Sequence, residues 1–373
     1  MPDDTTVPLQ QASDNAWKTL QLFVTTEEAG PYAATWSVDN LPEGGAGSLF
    51  GTNGLPIYDY KGRLLYYEFA LPLQNGSEFR ARAAATRELG SPVLQVAATQ
   101  PFQLAAWREQ ALKFAARNGY VIDNPDQIIC YSVPKLGLQA HKASNAKFII
   151  DLAAPVAIPY PPENADGRES LKADSDDLLL VWSPLDGRVQ RTSLETFALK
   201  EVALSMIAGP LAEALPESVP PTQAVLDLKL SGQQNAVYCA VASAQMILAY
   251  HGIDATQDTI AGVMQTGPGG STVENQVAAF AQLSNNRFAG NLQKPPTFPL
   301  GQNQVNIQAP YKSGVPGHAR VGAGWKIQTT GATTSNWLYI YDPWPPNAGQ
   351  VYWEDWTAVQ HTNDIFVDSP RVA

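Results

Sequence analysis

Cys239 opens the stretch Cys239 to Gly252, and Gln233 lies six residues before it. Farther along come His318, within Gly317-His318-Ala319, and Asp342, within Tyr341-Asp342-Pro343-Trp344. Together these residues supply a sulfur to attack, a base to take its proton, a carboxylate to orient that base and an amide to meet a developing oxyanion. Those are the parts of nucleophilic catalysis by cysteine.

The elements that must position them can be read locally. From Ala240 onward, Val241, Ala244 and Leu248 line one side of a helix, with Ala242, Met246 and Ala249 on an adjoining side. A helix apolar over so much of its circumference is central to a domain. It should end at His251-Gly252, with Gly252 just past the last turn. Cys239 then sits at the helix N-terminus, where the dipole favours thiolate over thiol and the backbone N–H is aimed at an oxyanion. The bland alternative is a buried structural cysteine that happens to start a helix. Gln233 tips the balance towards chemistry as a side-chain oxyanion donor, although Gln234 beside it competes for that role.

The stretch Gly317 to Trp325 reads as a strand that begins near His318. A second strand, Trp337 to Tyr341, ends at Asp342 because Pro343 stops it. If the two pair as a hairpin, His318 and Asp342 share one end of the sheet. Asp342 then holds one imidazole nitrogen while the other faces Cys239. A lone histidine would more often be structural; the partner carboxylate is what makes this one a candidate base. Around these strands, Ser271 to Glu274 reads as a capping box for a helix through Gln282. Lys294 to Pro310 reads as a loop bordering a cleft, and Gly349 to Trp356 as a last strand turning into a short helix. His251 is placed at a helix end and His361 on the surface.

The chain has 373 residues, 45% of them apolar, with 24 basic against 35 acidic side chains and a net charge of −11. That length favours two domains, and the apolar content excludes wholesale disorder. No dense Lys/Arg cluster is present, so nucleic acid is not an expected partner. Two cysteines, Cys130 and Cys239, cannot build a disulfide framework. The N-terminus shows no signal-peptide pattern and no run is long enough for a membrane span. The expected location is therefore the cytoplasm, or outside by another export route.

The proposed division places an N-terminal domain at 1–213, a proline-rich linker at 214–222 and a C-terminal domain at 223–373. Three prolines within 214–222 oppose regular structure there. The first domain reads as a mixed strand and helix unit, an antiparallel sheet with one helix on a face. Strands are expected at Arg63–Leu71, Phe79–Ala85, Pro92–Ala97, Gln127–Val133, Lys147–Leu152 and Leu178–Trp182, with an Asn75-Gly76 hairpin turn between the first two. Helices are expected at Leu104–Arg117, ended by Asn118-Gly119, and at Ser193–Ile207, capped by Ser193 or Thr196. The first dozen residues are polar and read as a mobile end. Cys130 lies in an apolar strand and reads as structural. The acidic group at Asp174, Asp176 and Asp177 reads as a solvated turn, not a metal site.

With these residues assembled, 223–368 resembles the papain-like cysteine peptidases, especially the compact bacterial branch with bacteriocin-leader and type III effector peptidases. The matching residues are Gln233, Cys239 with the seven that follow it, Gly317-His318-Ala319, and Asp342-Pro343-Trp344 before Gly349. The resemblance implies an α+β fold in which a nucleophile helix packs on a small antiparallel sheet. It implies Cys239 as nucleophile, His318 as general base and acid, Asp342 as orienting residue and Gln233 as oxyanion donor. It makes Trp344 a shield of the His–Asp pair. It implies a peptide or protein substrate and no cofactor or metal. Tyr238 and Ala240 depart from the tryptophan and glycine that sometimes flank the cysteine. The N-terminal domain would be a propeptide or inhibitory cover acting in cis, and the protein a zymogen. Acyl transfer by a transpeptidase or transglutaminase-like enzyme, and a non-catalytic binding module on a peptidase fold, are the alternative readings.

Overall fold

A computed structural model of the chain describes residues 5–25, 36, 53–73, 76–99, 101, 103–161, 181–186, 188, 190–207 and 222–368. The N-terminal half holds helix α1 (Leu9–Thr25) and strands β1 (Leu55–Tyr58), β2 (Leu64–Pro72), β3 (Glu78–Ala84) and β4 (Val93–Thr99). Helix α2 (Leu104–Arg117) follows, then β5 (Val121–Ile122), β6 (Ile128–Ser132), β7 (Lys135–His141), β8 (Lys147–Asp151), β9 (Ala157–Pro159) and helix α3 (Gln190–Ser205). The C-terminal half runs β10 (Thr222–Val225), α4 (Cys239–Tyr250), α5 (Gln257–Val263), α6 (Val273–Leu283), β11 (Ala289–Gln293) and α7 (Phe298–Asn306). It closes with β12 (Tyr311–Val315), β13 (His318–Thr330), β14 (Thr333–Asp342), β15 (Gln350–Asp355) and β16 (Asn363–Asp368).

The fold is α+β. One sheet runs in the order β11-β16-β12-β13-β14-β15-β4-β3-β2-β1-β6-β7-β8-β9, with β10 added on β13 and β5 on β7. Its neighbours are antiparallel except β1 and β6, which run parallel. The two halves join edge to edge, Trp353 opposite Val96 and Glu354 opposite Gln95. One hydrophobic cluster spans both, from Val7, Trp17 and Phe69 to Trp353 and Ile365. Sheet and core therefore continue across the expected division at 214–222, of which only Thr222 is described.

Several elements differ from the expectations. Of the first dozen residues, expected to be a mobile end, Leu9 to Ala12 open α1, which buries Ala12, Ala16, Trp17 and Leu20. Small and apolar residues at helical spacing outweigh the polar ones between them. Helix α3 starts at Gln190, so Ser193 and Thr196 lie inside it, and the Thr196 hydroxyl donates back to the Thr192 carbonyl. Thr272, not Ser271, caps α6 by accepting from the Asn275 N–H. The stretch 294–310 contains a helix, α7, begun by Pro299 in its first turn. The strand at 350–355 is not the last, because β16 pairs with both β11 and β12. Asn75, the acidic group at 174–177, and residues 178–180 lie outside the described residues; Val181 and Trp182 are not in a strand. Among the described residues, no helix is long and apolar enough to cross a membrane.

Candidate active site

Helix α4 runs from Cys239 to Tyr250 as its apolar faces require, with His251 as C-cap and Gly252 at φ +74°. It packs on β12 and β13. Its first turn brings Cys239 and Ala240 into one buried cluster with Ala319, the residue after His318. Strands β12 and β13 form a hairpin in which Val315 faces His318 across a two-residue turn. Pro316 presets the backbone for that turn and Gly317 takes the positive φ of 73° that it needs. Strand β14 returns alongside β13, with Tyr341 opposite Val321, so its end delivers Asp342 beside the start of β13.

There His318 Nε2 and Asp342 Oδ1 lie 2.7 Å apart. Asp342 Oδ1 also accepts from the Trp344 backbone N–H at 2.8 Å, and Oδ2 accepts from the Tyr352 hydroxyl at 2.7 Å. Burial alone would raise the Asp342 carboxyl. The His318 hydrogen bond, the Arg320 charge and the Tyr352 hydroxyl outweigh it and hold the group below its ordinary value. For His318 the balance goes the other way. Burial dominates, Asp342 opposes it, the Lys135 ammonium adds to it, and the imidazole is pushed down to about 4. Its other nitrogen, Nδ1, is buried with no hydrogen-bond partner among the described residues.

Behind Asp342 stands a second buried layer. Arg320 forms two hydrogen bonds with Glu354, 2.5 and 2.9 Å long, and donates to the Tyr352 hydroxyl at 3.1 Å. Gln95, from the N-terminal half, donates to Glu354 at 3.2 Å. Sequence reading passed over this layer. Its signal was nevertheless there: Arg320 lies two residues after His318, and Tyr352 and Glu354 alternate along β15. Polar groups at a period of two in apolar strands share one face of a sheet.

Gln233 is buried, whereas Gln234 is exposed. The backbone of Gln233 is bracketed by the loop after Asp342, its N–H donating to the Pro343 carbonyl and its carbonyl accepting from the Asn347 N–H. Gly232 permits that approach, because a Cβ there would meet the Ala348 nitrogen at 2.4 Å. The Gln233 amide donates to the Asn235 carbonyl at 2.6 Å. Gln257, another residue passed over, ties this loop to α4 through the Gln234 N–H, the Gly232 carbonyl and Gln245. Trp344 is buried, and its ring meets Trp107 of α2 edge-on at 5.4 Å.

Three other histidines lie apart from this group, His141 at the end of β7 among them. His251 is the helix C-cap that was expected. His361, expected on the surface, stacks on Trp356 at 3.7 Å with both ring nitrogens buried, and burial holds it well below its ordinary value. Cys130 is buried in the middle of β6. Among the described residues, no group of three or more His, Cys, Asp or Glu could hold a metal ion.

Residues 225–364 match the model of the Peptidase_C39 like family. The C-terminal part of the chain is thus of the papain-like cysteine peptidase type. Two solved structures show weaker likeness. The peptidase domain of Streptococcus ComA, a bi-functional ABC transporter of a quorum-sensing pathway, is 17% identical, with a TM-score of 0.29 over 38% of this chain and 98% of that one. UfSP from C. elegans is 12% identical, with a TM-score of 0.31 over 43% of this chain and 36% of that one. Neither likeness carries weight by itself at such scores. No curated protein matches the chain.

Proposed function

With residues 225–364 matching a cysteine peptidase family, we propose that the chain hydrolyses peptide bonds through Cys239, His318 and Asp342. The observation that supports this most is the buried His318–Asp342 hydrogen bond beside the helix that Cys239 begins. In this reading His318 Nδ1 takes the thiol proton as Cys239 Sγ bonds to the substrate carbonyl carbon. The oxyanion is met by the Cys239 N–H and by Gln233, whose amide has a second N–H besides the one given to Asn235. The carbon–nitrogen bond breaks as His318 hands its proton to the leaving amine. Water then attacks the thioester, giving its proton to His318, and the carbon–sulfur bond breaks to restore the thiol. Asp342 holds the imidazole in the required orientation throughout, and Trp344 keeps water from that pair.

The substrate in this reading is a peptide or protein, and the N-terminal half acts in cis as a cover over the site. Hydrolysis of a mixed peptide library by a chain whose N-terminal cover is loosened, as by Lys135→Ala, followed by mass spectrometry, tests the reading. Cys239→Ala should remove all cleavage while leaving the fold intact; cleavage that persists in that variant rejects it. The same assay with added amines separates hydrolysis from acyl transfer, since transfer incorporates the amine into product.

A further inference from the structure

Cys239, His318 and Asp342 are each 0% exposed, so no substrate carbonyl reaches the sulfur as the chain stands. What lies over them comes from the N-terminal half. The hairpin β6–β7 turns through Val133 and Pro134, with Ser132 opposite Lys135. Its tip meets the tip of the β12–β13 hairpin. The Ser132 hydroxyl donates to the Pro316 carbonyl at 2.7 Å, and Lys135 Nζ donates to the Gly317 carbonyl at 2.9 Å. These are the two carbonyls immediately before His318. In the sheet, β14, β15, β4, β3, β2 and β1 lie between β13 and β6, so the sheet curls back on itself to bring these tips together.

Hairpin tips usually face water, and a lysine at one is usually solvated. Here every residue from Tyr131 to Lys135 is buried. Tyr131 stands near enough to Cys239 that a thiolate there would oppose its own ionisation, and its hydroxyl is hydrogen-bonded to Asp151. Lys135 is 2% exposed, an ammonium taken out of water to sit beside the base. A turn that served only to reverse the chain would have no reason to bury a charge.

We propose that the β6–β7 tip is a built-in plug of the cysteine site, held by Ser132 and Lys135 on the Pro316 and Gly317 carbonyls. The site opens when this tip lifts, not when the N-terminal half departs. The inference rests on the peptidase reading above. Its second part follows from how the halves are joined away from the plug. β4 and β15 pair directly, Gln95 bonds Glu354, and Ser91 and Lys200 both bond Asp355. A cut in the connection near 214–222 leaves all of these contacts in place. The Lys135 ammonium also opposes protonation of His318, so the plugged site disfavours the imidazolium on which thiolate formation depends.

The test is the alkylation rate of Cys239 in the folded full chain, read by mass spectrometry after brief iodoacetamide treatment. General loosening is read from the urea midpoint of each chain, because Cys130 lies in β6 only two residues from Ser132 and moves with the tip. Lys135→Ala, alone and with Ser132→Ala, removes the hold. The expected result is slow labelling of Cys239 in the native chain and labelling faster by about tenfold or more in the variants, the factor that losing one charge-assisted hydrogen bond gives. The acceleration should appear without urea, well below each variant's unfolding midpoint. If Lys135→Ala fails to fold, Ser132→Ala alone, which leaves the charge untouched, should still give a smaller acceleration.

Fast labelling of Cys239 in the native chain overturns the plug, as does acceleration that appears only as the variants unfold. So does an unchanged Cys239 rate in variants that fold. Fast Cys239 in the variants without any peptide cleavage upholds the plug and rejects the peptidase reading. Cleavage by a native chain whose Cys239 is already fast does the reverse.

Discussion

The two cysteines of this protein are both wholly buried, yet they sit at different places on the backbone. Cys130 lies mid-strand in β6, where burial pushes its thiol up to about 11; a hydrogen bond with Tyr66 and the charge of Arg82 offset this only in part. Arg82 is itself committed to Glu68 by a 2.6 Å ion pair. Cys239 lies at the first turn of a helix, against the residue that follows a histidine held by a carboxylate. Burial is common to both, so it does not decide reactivity. In the proposed reading the backbone position does: a strand interior offers a thiol only lateral neighbours, whereas a helix start adds N–H groups aimed out of the helix and a favourable dipole.

The comparison breaks first at Asp342. In the Lys135→Ala chain, where the site is open, Asp342→Asn should lower peptide hydrolysis by about three to four orders of magnitude, because the amide favours the wrong imidazole tautomer. Steady-state rates on one cleaved peptide measure it. A loss under tenfold would make Cys239 no better served than Cys130.

Acid titration sharpens the contrast at smaller scale. His318 titrates near 4 in the fold and near 6.5 when unfolded, so between those values the unfolded chain binds the extra proton. Stability is therefore full above about pH 6.5 and is lost as pH falls towards 4, by about 3 kcal/mol from this group at most. His361, held low by burial, adds to the loss over the same window, whereas Asp342, held below its ordinary value, adds to it only below about pH 4. Urea midpoints from pH 7.5 to 4.5 should fall steadily, and His318→Gln should flatten part of the slope. A wild-type slope matched by the variant would show that His318 is not buried neutral.

The smallest expected effect is at Tyr352. Removing its hydroxyl in Tyr352→Phe leaves Asp342 Oδ2 without the 2.7 Å donor, which costs about 1–3 kcal/mol of stability for a buried charged acceptor. Urea unfolding measures this. In the Lys135→Ala background the Cys239 alkylation rate should change while that of Cys130 does not. Equal changes at both would reduce Tyr352 to ordinary core packing.

Much of this was legible in the chain because it depends on local pattern. Helical spacing and Asn118-Gly119 place α2 at Leu104–Arg117, and the same logic places α4 between Cys239 and the turn at Gly252. Proline after Asp342 marks where β14 ends, which sets that carboxylate beside His318 once the strands pair. Elements missed locally were those whose partners are far away. Helix α1 is stabilised by Phe69, Phe79 and Trp353 of the distant core as much as by its own spacing. The strand β16 exists because β11 and β12 flank it.

By itself, then, the order Gln233, Cys239, His318, Asp342 determined which side chains are candidates and which ends of which elements carry them, since helix caps and strand stops act over a few residues. Only the tertiary structure decided that Cys239, His318 and Asp342 are closed off from water. Only it decided that Arg320, Tyr352 and Glu354 stand behind the carboxylate, and that a hairpin tip some hundred and eighty residues away covers the base. Those contacts depend on how a long sheet twists and curls. The curl is set by the packing of many strands together, and no short window of sequence contains it.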